Sequence, residues 1–229
     1  MRFVFLDFCN TLAVERPSRT VIYAEAAEAC GASLSAEQMG ALMRSAHRAL
    51  PAEIDGHWRY TDPWFRHFIR RIFVDELQLE PERVEHAQPA LFARFRNPAT
   101  FHVFPGAHEL LRSLREWGLG IGVLSNWSPW LNELLDRLEL SPLIDVRISS
   151  AEVRVEKPDP RIFELAAREA GVSASDCLHA GDDIANDYEG ARSAGMQSVL
   201  VDHADAHSGS PHARVTSLAA LGSWISAKL

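Results

Sequence analysis

From residue 101 onward, short apolar runs alternate with stretches of helical spacing, and that alternation leaves few architectures open. After a Pro105-Gly106 turn, "AHELLRSLREWG" reads as a helix and "LGIGVLS" as a strand. "SPWLNELLDRLEL" then reads as helix, "IDVRIS" as strand, "DPRIFELAAREAG" as helix and "DCLHAGD" as strand. "IANDYEGARSAG" and "QSVLVD" repeat the pair, and a last helix covers about 217–227. Residues 2–6 (RFVFL) supply one more apolar strand at the start. Strands that are apolar throughout are buried on both faces, and strands joined through helices pair in parallel. The expected fold is therefore α/β, a Rossmann-like parallel sheet covered by helices.

Residues 14–100 have a different texture and interrupt that core after its first strand. "TVIYAEAAEAC" places Val21, Ala24 and Ala27 at helical spacing and stops at Gly31. "SAEQMGALMRSAHRAL" opens on a capping box, Ser35 with Gln38. "DPWFRHFIRRIFVDELQL" carries an apolar stripe through Phe65, Phe68, Ile69, Ile72 and Phe73, and "PERVEHAQPALFARFR" continues the pattern until Pro89 breaks it. No strand is expected in this segment. The division is a core of 1–13 and 101–229 with an all-helical unit of 14–100. The aromatics Trp58, Tyr60, Trp64 and Phe65 are expected to pack within that unit rather than to line a pocket.

Composition removes several function classes. Basic residues number 23 against 31 acidic ones, a net charge of −8, whereas nucleic-acid surfaces carry a basic excess. No run approaches the roughly 18–20 apolar residues of a membrane span. The first residues lack the basic and long apolar regions of a signal peptide. Cys9, Cys30 and Cys177 show no metal-binding spacing, so a reducing cytoplasm is the expected setting. His203, His207 and His212 share a Ser/Gly/Pro-rich stretch that reads as a loop rather than a zinc site.

Chemistry-bearing residues gather at the carboxyl ends of the strands, where parallel sheets bind ligands. The first strand ends in Asp7, with Thr11 four residues on. "GVLSN" ends in Ser125-Asn126, and "CLHAGDD" in Asp182-Asp183 with Asp187 following. Lys157 lies in "VEKPDP", and only Lys228 accompanies it among the 23 basic residues. Carboxylates brought together repel, and oxygen-only ligands suit a hard cation such as Mg²⁺. An ammonium and a hydroxyl beside that cation would hold phosphate oxygens, and Asp7 would be the carboxylate nucleophile.

In their order, "DFCNT", "LSN", "EKPDP" and "GDDIAND" resemble the four motifs of the haloacid dehalogenase (HAD) superfamily, and residues 14–100 resemble its C1-type helical cap. The resemblance implies roles residue by residue. Asp7 would be nucleophile and metal ligand, with the backbone carbonyl of Cys9 a second ligand and Asp182 a third. Asp187 and Asp183 would act on the metal through water. Ser125, Asn126 and Lys157 would bind the transferring group, and Thr11 would steady the loop of Asp7. A small, phosphorylated substrate is implied.

Cys9 stands where phosphatases of this superfamily carry a second aspartate, which protonates the leaving group and later activates water. A thiol, with pKa about 8.5, is a poor carrier of protons in both directions at neutral pH. Four readings stay open: a Mg²⁺-dependent phosphatase, a 2-haloacid dehalogenase, a phosphonate hydrolase and a non-catalytic module binding a phospho-ligand or partner protein. The dehalogenase fits the missing aspartate and the Ser-Asn pair but not the acidic fourth motif. The phosphonate hydrolase needs a cap lysine, and residues 14–100 contain none. Trp127 and Trp130 are candidates to roof the site or to meet a second copy in a homodimer.

Overall fold

In the computed structural model, which describes residues 1–229, the core strands form one six-stranded parallel sheet. They are β1 (Phe3–Leu6), β2 (Gly120–Ser125), β3 (Val146–Ser149), β4 (Cys177–Gly181), β5 (Gln197–Val201) and β6 (Arg214–Val215). Their order across the sheet is β6-β5-β4-β1-β2-β3. Leu6 pairs with Val123 on one side and Ala180 on the other, so the carboxyl ends of β1, β2 and β4 emerge side by side. Every residue of β1 and β4 is buried, as runs without polar alternation require.

Phe3, Phe5, Leu124 and Ile148 form a core cluster with Ile162 and Phe163 of the helix Pro160–Glu169. The Phe3 and Phe5 rings stack at 4.7 Å. Gly122 pairs with Phe5, and a Cβ there would run into the Phe5 ring, so this strand position admits only glycine without repacking. Each such buried ring contributes about 1.5–3 kcal/mol. No helix is long and apolar enough to cross a membrane.

The chain divides into two compact units, Met1–Val14 with His102–Leu229 and Glu15–Phe101. The second unit is built on α1 (Arg19–Cys30), α2 (Ala36–Ala49), α3 (Asp62–Arg70) and α4 (Pro81–Arg96). The Ser35–Gln38 capping box is present at the start of α2. Ile22, Tyr23, Met39, Trp64, Phe68, Phe73 and Leu91 belong to one core cluster. Trp64 stacks on Phe68 at 5.6 Å and donates its indole N–H to the Pro51 carbonyl at 2.9 Å.

Two expectations for this unit are corrected. Helix α4 runs through Pro89 without a break. Pro89 is exposed, while Val84, Gln88 and Leu91 are buried, and packing of that face outweighs the ~3 kcal/mol that an interior proline costs. The segment also contains a hairpin, Glu53–Ile54 against His57–Trp58. Its turn is Asp55-Gly56, with φ of 51° and 78°, the backbone that two-residue hairpin turns require. Strands of two residues are too short to show alternation in a sequence.

Candidate active site

Asp7 follows β1 directly and donates its backbone N–H to the Ala180 carbonyl of β4 at 2.9 Å. The loop beyond it is closed by backbone bonds: Leu12 and Ala13 both donate to the Phe8 carbonyl, and Asn10 donates to Ala13. Thr11 is buried, but its hydroxyl has no hydrogen-bond partner, so the loop is held by main chain rather than by this side chain. Thr11 takes part through its carbonyl, which lies 3.0 Å from His203 Nε2. His203 also stacks on Phe104 at 3.8 Å, which gives that histidine a packing role.

At the centre stands Lys157, 3% exposed. Its Nζ donates to Asp7 Oδ1 at 2.7 Å, to Asp187 Oδ1 at 2.5 Å and to the Leu124 carbonyl at 3.1 Å. Burial opposes the charge on this ammonium, but Asp187 and Asp7 outweigh it and hold Lys157 above its ordinary range. Its main chain is fixed as well. Asn126 Oδ1 accepts from the Lys157 backbone N–H at 2.8 Å, and Asn126 Nδ2 donates to the Lys157 carbonyl at 2.9 Å. Asn126 therefore clamps the lysine's backbone with both ends of its amide.

Asp187 is 2% exposed and held from three directions. Its Oδ1 accepts from Lys157 and from His179 Nε2 at 2.8 Å, and its Oδ2 accepts from the Asp183 backbone N–H at 3.0 Å. Burial pushes its pKa up, but the Lys157 charge and the His179 hydrogen bond reverse this and hold Asp187 below the usual carboxylate range. Gly181 makes the arrangement possible, because a Cβ at that strand end would overlap the Asp187 carboxylate. The side chain of Asp183 instead caps the following turn, accepting from the Asn186 backbone N–H at 2.7 Å.

Asp7, Asp182 and Asp187 place carboxylate oxygens within 4.8 Å of one another. Burial raises the pKa of Asp7, with Lys157 opposing. Asp182 is pushed up to about 8 by burial and then by the charges of Asp7 and Asp187, with Asn10 Nδ2 donating to it at 3.2 Å. The Lys157 ammonium bonds Asp7 and Asp187 but not Asp182, which is left short of positive charge. An all-oxygen set with that deficit fits a hard divalent cation. Ser125, 2% exposed, ends β2, and Cys9 is half-buried and forms no disulfide.

His179 was not singled out by sequence reasoning. It sits within the apolar run "CLHAGD", fully buried, and the signal that exposes it is that a histidine interrupts a strand buried on both faces.

The family model for haloacid dehalogenase-like hydrolases matches residues 1–195. The chain is 31% identical to the Bos taurus haloacid dehalogenase-like hydrolase domain-containing protein 3 over 205 residues, covering 88% of this chain and 82% of that protein. It is 29% identical to a phosphoserine phosphatase of Thermus thermophilus, covering 88% of this chain and 89% of the other. Among solved structures, a HAD phosphatase from Thermococcus onnurineus superposes with a TM-score of 0.72 at 22% identity, covering 98% of each chain.

Proposed function

Because this chain belongs to the haloacid dehalogenase-like hydrolase family, we propose that it is a Mg²⁺-dependent phosphatase acting on a small phosphorylated molecule through an aspartyl-phosphate intermediate. The observation that carries this reading is the buried ammonium of Lys157 between Asp7 and Asp187, with Asp182 beside them. The helical unit is read as the family's cap, and the cytoplasm as the setting.

Asp7, Asp182 and the carbonyl of Cys9 are assigned to the metal, with Asp187 behind them. Bound there, Mg²⁺ would neutralise phosphoryl charge and lower repulsion toward the attacking carboxylate. Lys157 and Ser125 hold phosphoryl oxygens. An Asp7 oxygen bonds to phosphorus as the bond to the leaving-group oxygen breaks, and that oxygen departs with the bonding pair as an anion, taking any proton it needs from solvent water. Water then attacks phosphorus, the Asp7–phosphorus bond breaks, and inorganic phosphate departs with the Asp7 carboxylate restored. Cys9 replaces the usual acid–base aspartate, so substrates whose leaving group needs little protonation, such as acyl and aryl phosphates, suit the site.

The test is phosphate release from acetyl phosphate and p-nitrophenyl phosphate with Mg²⁺, with EDTA and Asp7→Asn as controls. Release that both controls abolish supports the reading, and no release from either substrate overturns it. The missing second aspartate favours one other reading, a 2-haloacid dehalogenase. Chloride release from 2-chloropropionate without Mg²⁺ would select it.

A further inference from the structure

His179 lies on β4 between Phe5 of β1 and Ser198 of β5, and none of its surface reaches solvent. Its neighbours on the strand, Cys177, Leu178 and Ala180, are apolar. Its ring meets Phe163 edge-on at 5.3 Å. If packing were the whole requirement, an aliphatic side chain would serve, because a buried polar group costs free energy unless it is hydrogen-bonded.

The two ring nitrogens are treated differently. Nε2 lies 2.8 Å from Asp187 Oδ1, whereas Nδ1 is buried with no partner. A carboxylate oxygen that already accepts from Lys157 accepts here too, which assigns the proton to Nε2 and leaves Nδ1 the unpartnered nitrogen. The ring is a donor aimed at one oxygen. That oxygen is the one that also holds Lys157, whose Nζ reaches Asp7 on its other side.

We infer that His179 is a positioning residue: by donating to Asp187 Oδ1 it fixes the carboxylate that keeps Lys157 shared between Asp187 and Asp7. This rests on the phosphatase reading for its catalytic consequence, though not for its geometry. Without the donor, Asp187 Oδ1 answers to Lys157 alone. The carboxylate then turns about its remaining anchor, the Asp183 N–H, and the ammonium shifts toward one partner. Lys157 would no longer be placed both to hold a phosphoryl oxygen and to leave Asp7 free to attack. Outer hydrogen-bond partners of this kind are typically worth 10- to 100-fold in activity.

His179→Leu keeps bulk and removes the donor, and His179→Gln returns an amide N–H near Nε2. Each is assayed on p-nitrophenyl phosphate with saturating Mg²⁺, and each is crystallised without substrate. The expectation for His179→Leu is a kcat about 10- to 100-fold lower with KM within about threefold. His179→Gln should recover to within about fivefold of the native rate. In crystals of His179→Leu, Lys157 Nζ should lose one of its two carboxylate contacts. Native kcat in His179→Leu, or equal loss in the Leu and Gln variants, would overturn the inference. If the native protein hydrolyses neither compound tested above, the phosphatase reading fails, and the crystals alone decide: unmoved Lys157 and Asp187 refute the positioning role. Should His179→Leu not fold, His179→Met gives the same test with a more adaptable chain.

Discussion

Lys157 Nζ donates to Asp7 Oδ1 at 2.7 Å, although 150 residues separate the two along the chain. Sheet order produces the meeting, because β1 lies between β2 and β4 and brings Asp7 to the centre of the strand ends. A buried pair of this kind carries a heavy cost when one partner is removed. Lys157→Met leaves Asp7 and Asp187 as uncompensated buried charges, and urea denaturation at pH 7 should show a loss of about 3–5 kcal/mol. Phosphatase activity should vanish in the same variant.

On the phosphatase reading, Cys9→Asp supplies the acid–base carboxylate of the first motif. General acid–base catalysis is typically worth about 10²–10⁴-fold, so p-nitrophenyl phosphate turnover should rise by a factor in that range. The gain should disappear on EDTA addition and return with excess Mg²⁺. An unchanged rate in a folded Cys9→Asp protein would argue against the acid–base role assigned to this position.

Gly181→Ala and Gly122→Ala separate site geometry from core packing. A methyl at 181 overlaps the Asp187 carboxylate, and one at 122 overlaps the Phe5 ring. Overpacking costs about 1–3 kcal/mol in either case. Activity per folded molecule should collapse in Gly181→Ala and stay near native in Gly122→Ala, with the folded fraction taken from circular dichroism.

The helical unit should respond to acid through His47. Burial, then the charges of Arg59 and Arg19, lower its pKa from 6.5 to about 4, and its Nε2 lies 3.2 Å from Tyr60 Oη. The unfolded chain therefore binds a proton between about pH 6.5 and 4 that the folded chain refuses, and stability rises with pH across that window. The contribution is complete above about 6.5 and is lost progressively as pH falls. Unfolding free energies from urea titrations at pH 4.5 and 7 should differ by on the order of 1 kcal/mol from this group, solvent screening at this half-buried site discounting the full shift. His47→Gln should flatten that part of the profile.

Much of the core and of the acidic site was legible because each signal was local. Apolar runs ending in Asp7, Ser125 and Asp182 marked strand ends, and Lys157 stood out in a chain with one other lysine. The capping box at Ser35 could be read because its partners lie three residues apart. What could not be read depended on direction and on distant partners. Asn126 turns its amide to the backbone of Lys157, 31 residues on, and His179 aims at a carboxylate on the following turn. No spacing rule announces either. Strands too short for alternation hid the hairpin around Asp55-Gly56. Pro89 shows the opposite failure, where a strong local signal yields to the packing of Val84, Gln88 and Leu91.

The burial of Lys157 also governs how this protein meets reagents. An amine-directed dye or cross-linker requires an accessible, unprotonated nitrogen, and Lys157 offers neither. Lys228 is exposed and is the one other lysine in the chain. Terminal amine aside, conjugation chemistry should therefore mark a single defined position beside the Trp224 ring, making a site-specific fluorescent or surface-immobilised form obtainable without engineering.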